Sequence, residues 1–224
     1  MNNYLLPVYA VVIGVLLVAL LKQKKTSVTK LLLPFSGAFL LALTLFDLLP
    51  EVYEHLEAKQ TGLYIMCGIL MQIVLEFFSK GAEHGHVHIH VHNKVFPWAL
   101  FLSLCVHSVM EGFSIHQYND MVYGILVHKI PIAMVITTFL LHAKCSKLQV
   151  ALFLALFAAM TPLGTYLSNN AAFISNYVNV INAFVIGIFF HISTIILFES
   201  SEGHKFNLPK LIAIILGIGA AFMI

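Results

Sequence analysis

The 224-residue chain is 60% hydrophobic, 10% charged and carries a formal charge of +2. An ordinary soluble domain is about one quarter charged, so this composition excludes a soluble globular protein. The weak, arginine-free positive balance gives no reason to expect nucleic acid as a partner.

A membrane-spanning helix needs about 20 mainly apolar residues. Eight such runs occur, near 4–21, 32–50, 62–79, 96–116, 122–142, 149–168, 173–198 and 208–224. The expected fold is all-α, a polytopic membrane protein of eight transmembrane helices, with 1–224 as a single transmembrane domain in a lipid bilayer. The first run is too long, and lacks the small-residue cleavage site, for a signal peptide, so it is expected to stay as a span. Cys67, Cys105 and Cys145 fall in or at the ends of different runs with no CxxC spacing and read as packing residues.

Ten of the twelve lysines fall in odd-numbered connections. Lysine-rich loops remain cytoplasmic, which predicts both termini outside. The short chain and its lysine-only basic residues fit a prokaryotic plasma (inner) membrane. Lys129 belongs to no connection.

Asp47 and Glu51, four apart at the outer end of the second run, share a face able to draw cations toward a cavity; an acidic rim is the plainer reading. Between the third and fourth runs, the cytoplasmic segment 80–95 places His84, His86, His88, His90 and His92 at alternate positions. This is a compositional metal-binding signal, read as a weak divalent-ion buffer. Glu76, His142, Glu199 and Glu202 sit at inner helix ends, where they either pass an ion toward that tract or simply lie at the interface.

The fourth run carries His107 and Glu111 one turn apart on one face, with Ser108 beside them and Gly112 after them. The fifth carries His128 and Lys129 just before Pro131, and the sixth carries Thr161 before Pro162. Each proline removes an amide hydrogen and frees the carbonyl four residues back, here those of Val127 and Ala158, which predicts a polar, irregular core. A carboxylate at mid-membrane costs about 3 kcal/mol even on the lenient insertion scale. A structural role would need only one polar group, whereas two imidazoles and a carboxylate suit zinc or a similar divalent ion. His107, Glu111 and His128 are therefore the predicted metal ligands. Ser108, Thr161 and His191 are subsidiary candidates, because a lone histidine such as His116, His142 or His191 is more often a hydrogen-bonded structural residue.

These residues carry a resemblance. His-Ser-x-x-Glu-Gly at 107–112, His-Lys-x-Pro at 128–131, Thr-Pro-Leu-Gly at 161–164, and Ser-Gly-x-Phe-Leu with Leu-Phe-Asp-Leu-Leu-Pro-Glu in 36–51 resemble the ZIP family of zinc and iron transporters. The resemblance implies an inverted repeat, helices 1–3 and 6–8 around helices 4–5. It also implies uptake of divalent metal (zinc, or iron, manganese or cadmium) by alternating access, with elevator-like sliding of one helix group against another. No catalytic cofactor follows from it, and a homodimer stays open. Many members carry an acid where Lys129 stands and a bridging Glu or His where Ile132 stands. A single metal site is therefore expected here, with the Lys129 ammonium substituting for the charge of a second ion. A metal exporter or membrane metal sensor is the alternative. An intramembrane metallohydrolase fits less well, since it needs an open ligand position and a general base, and the chain has no HExxH.

Overall fold

The computed structural model describes residues 3–21, 25–79, 96–115, 120–143, 145–199 and 207–224. Among these residues all regular structure is helical, and the eight apolar helices are α1 (Leu6–Leu21), α2 (Lys25–His55), α3 (Ala58–Ser79), α4 (Trp98–Phe113), α5 (Met121–His142), α6 (Lys147–Asn170), α7 (Val178–Glu199) and α8 (Leu208–Phe222). Five are long and apolar enough to cross a membrane by length and composition, while α1, α4 and α8 are shorter, at 16, 16 and 15 residues. At 1.5 Å per residue, a 22-residue helix such as α3 spans about 33 Å, enough for the hydrocarbon core of a bilayer.

Several helix boundaries differ from the sequence expectation. α2 starts at Lys25 and continues to His55, because its polar ends extend the helix beyond the apolar run. α4 stops at Phe113, short of the predicted 116. α7 begins only at Val178, after a separate short turn at Ala172–Ser175. The backbone irregularity also lies elsewhere than predicted: α5 and α6 run through Pro131 and Pro162 as continuous helices. The break in register is in α2, a π-helical turn at Thr44–Leu48 where the Leu49 amide bonds the Thr44 carbonyl. Pro50 has no amide to offer the Phe46 carbonyl, and a π turn at that point accommodates the loss.

Lipid tails are as apolar as leucine, so helices in a bilayer associate through close packing rather than hydrophobic burial. Glycines make that packing possible here. A Cβ on Gly68 of α3 would strike the Phe184 carbonyl of α7, and one on Gly187 of α7 would strike the Ile65 carbonyl of α3. Gly112 of α4 lies against the Thr161 carbonyl of α6, Gly164 of α6 against the Val109 carbonyl, Gly14 of α1 against Ile130 and Ala133 of α5, and Gly217 of α8 against the Phe35 carbonyl of α2.

These four pairings, α3 with α7, α4 with α6, α1 with α5 and α2 with α8, are the most extensive in the molecule. Exchanging helices 1 with 6, 2 with 7, 3 with 8 and 4 with 5 maps the α2–α8 pair onto α7–α3 and the α4–α6 pair onto α5–α1. Successive spanning helices alternate in direction, so an odd helix exchanged with an even one is inverted. The packing therefore has the pattern of the inverted repeat. It also sorts the helices into two groups, α1, α4, α5 and α6 against α2, α3, α7 and α8, joined mainly where α2 meets α5.

Candidate metal centre

Residues four apart on a helix rise about 6 Å and lie almost in line, so His107 and Glu111 present their side chains to one point beside α4. His107 Nε2 donates to Glu111 Oε1 at 2.9 Å. α5 brings His128 to the same place: one ligand atom each from His107, Glu111 and His128 lie within 4.8 Å of one another. All three residues are buried, at 4%, 1% and 2% exposure. A single first-row divalent ion, bound at about 2.0–2.2 Å to each donor, can bridge such a set after small side-chain adjustments.

Adjacent residues on a helix diverge by about 100°, and Lys129 accordingly approaches the carboxylate from another side. Its Nζ donates to Glu111 Oε2 at 2.6 Å and to Ser108 Oγ at 3.1 Å. Thr161 Oγ1 of α6 donates to the same Oε2 at 3.4 Å. The carboxylate is thus divided, with Oε1 on the imidazole side and Oε2 on the ammonium and hydroxyl side. Burying an ion pair carries a large desolvation penalty, offset only when geometry is good and further hydrogen bonds satisfy the partners; here three donors surround one carboxylate. A cavity of about 10 Å³, bordered by His107, Glu111, His128, Lys129, Phe157 and Ile192, adjoins the cluster. That is room for about one water-sized body.

α6 is drawn close enough for Thr161 to reach by the Gly112–Gly164 contact and by a seam of hydroxyls. Thr165 Oγ1 donates to the Gly112 carbonyl at 2.9 Å and Ser168 Oγ to the Phe113 carbonyl at 3.2 Å. Sequence reasoning missed this seam, although Thr161, Thr165 and Ser168 follow the 3.6-residue period of one face. It also missed Phe157, whose ring lies 4.5 Å from Lys129 Nζ.

Ser108 and Thr161 reach the centre through Lys129 and Glu111. His191 does not: its Nε2 lies 2.7 Å from Glu76 Oε2 of α3, because α7 turns this position toward α3 rather than toward α4. Asp47 lies in the π turn of α2, half-buried and within electrostatic reach of Asp120, and Glu51 follows it, half-buried, in the last stretch of α2. Neither joins the cluster. His142 Nδ1 donates to its own helix at the Thr138 carbonyl. His84, His86, His88, His90, His92, His116 and Glu202 lie outside the described residues, as does the side chain of Glu199.

Comparison with known proteins bears on the same residues. The profile described as ZIP Zinc transporter matches residues 80–224, a segment that contains all of the cluster. Over 88 residues the chain is 37% identical to zinc transporter ZIP1 of Danio rerio and 33% identical to zinc transporter ZIP1 of Takifugu rubripes. Each match covers 37% of this chain and 29% of the relative, so less than a third of either relative's length is represented. With more than half of its length matched by the family profile, the chain belongs to the ZIP zinc transporter family, a family of transporters and not of enzymes.

Proposed function

We propose that this chain carries zinc across the membrane into the cytoplasm by alternating access, loading one ion at a time on His107, Glu111 and His128. The observation that carries the reading is the convergence of two imidazoles and a carboxylate within 4.8 Å, all buried, inside an eight-helix apolar bundle. Borderline-soft zinc suits that donor set, with iron, manganese or cadmium as alternative cargo. The ion takes the place of the hydrogen now shared by His107 Nε2 and Glu111 Oε1, while Lys129 keeps Oε2 and supplies the charge of a second metal.

The group structure of the bundle supports alternating access. Every residue of the centre, from His107 to Thr161, belongs to α1, α4, α5 and α6, whereas Ile192 of the cavity wall belongs to the other group. A shift of one group past the other would move the ligands together and change which side they face. In this reading the termini lie outside, the membrane is the plasma membrane, and Asp47 and Glu51 gather cations at the outer end of α2. The histidine tract buffers metal on the cytoplasmic side.

Zinc flux into liposomes containing the purified protein is the test. His107→Ala, Glu111→Ala and His128→Ala should each reduce flux to background while the proteins remain inserted and monodisperse. Native flux by all three overturns the assignment, and flux only in the outward sense would make the protein an exporter.

A further inference from the structure

Lys129 has three N–H donors and three neighbours of its Nζ are at hand: Glu111 Oε2 at 2.6 Å, Ser108 Oγ at 3.1 Å, and the face of the Phe157 ring at 4.5 Å from its centroid. Lysine is a flexible four-carbon stem with a compact charge. Left to itself, its ammonium has an equal claim on Glu111 Oε1, the oxygen beside His107. Something has to keep it on the Oε2 side if the metal is to have Oε1.

We infer that Phe157 is a positioning residue of the metal centre, its ring face holding the Lys129 ammonium on one oxygen of Glu111 so that the other stays available to the cargo ion. The inference rests on the metal-centre reading above and adds a residue to it. Phe157 is 1% exposed and borders the same cavity as His107, Glu111 and His128. It lies one turn before Thr161 on α6, so one helix face supplies both the hydroxyl that binds Oε2 and the ring that holds the cation there. A cation over an aromatic face is attracted by the ring quadrupole, most strongly where water is excluded. An aliphatic side chain of similar volume would fill the space and provide no such seat.

Zinc binding to the purified, detergent-solubilised protein, measured by calorimetry, separates the ring's electrostatic part from its bulk. Phe157→Leu should weaken zinc binding about tenfold, the equivalent of a buried cation–π contact of moderate strength, and raise the KM of flux with a smaller change in maximal rate. Phe157→Tyr, which keeps the π face, should bind within about twofold of the native protein. In a Lys129→Met background Phe157→Leu should have no further effect, since the ammonium it positions is gone. Native-like affinity for Phe157→Leu overturns the inference, and so does an equal loss with and without Lys129, which would make the ring only a wall. If Lys129→Met does not fold, the Leu and Tyr variants decide alone: equal losses in both overturn it. Native zinc binding by His107→Ala would instead overturn the metal centre itself.

Discussion

Glu111 does two jobs with two oxygens. Oε1 faces His107 at 2.9 Å, and Oε2 faces Lys129 at 2.6 Å with Thr161 behind it. A carboxylate arranged in this way would bridge two metal ions if a second ligand set stood at the Oε2 side; here an ammonium stands there and Ile132 offers no donor. In the proposed mechanism the resident cation also keeps the empty site near electroneutral, so it need not borrow a second ion to cross an apolar interior, where isolated charge is heavily penalised. Stoichiometry reads this out. The native protein should bind one zinc per chain at the centre, and Lys129→Asp, which exchanges the ammonium for a carboxylate ligand, should admit a second ion, more weakly held because Ile132 cannot bridge. Two well-occupied adjacent ions in native protein crystals, located by anomalous diffraction, would show that Lys129 is not the substitute.

At the scale of helices, residue spacing made the convergence of these side chains legible. His107 and Glu111 share a face by the helix period, and His128–Lys129 on the next helix completes the set. What spacing could not supply was the register between helices distant in sequence. His191 stood only as a subsidiary candidate along the chain, and the Gly68–Gly187 contact, which fixes α7 against α3, gives it to Glu76. Phe157 carried no signal because one phenylalanine in an apolar helix resembles any other. The π turn in α2 was hidden because Pro131 and Pro162, equally proline, leave their helices continuous; neighbouring helices can re-satisfy the freed carbonyls. The glycine contacts make a prediction of their own. Gly68→Val or Gly112→Val would drive a side chain into backbone, which cannot move aside like a flexible side chain, and should destabilise by about 1–3 kcal/mol. Gly62 and Gly219 have nothing within 4 Å of a built Cβ, so Gly62→Val and Gly219→Val should leave the melting temperature of the solubilised protein unchanged. Equal melting of all four variants would mean that the glycines do not set the helix spacing.

At the scale of the whole molecule, the glycine contacts of the four most extensive helix pairings differ in kind from the one at the α2–α5 seam. In those pairings glycines bring backbone against backbone, as at Gly68 with Phe184 and Gly164 with Val109. Where α5 meets α2, Gly124 faces first the ends of side chains, Leu43 Cδ1 and Leu40 Cδ1, with the Leu40 backbone farther off at 3.9 Å. Backbone contacts cannot slide without a steric penalty, whereas leucine tips passing a glycine have rotamers in which to adapt. The proposed motion should therefore run along the α2–α5 seam, and tying that seam should stop transport without touching the metal ligands. In a protein whose Cys67, Cys105 and Cys145 are replaced by serine, Leu43→Cys with Gly124→Cys should form an oxidative cross-link. The cross-linked protein should still bind zinc with native stoichiometry yet lose flux, and reduction should restore it. Undiminished flux through the cross-linked protein would mean that the two groups do not move along this seam, and alternating access would then have to come from movements inside the α1, α4, α5 and α6 group itself.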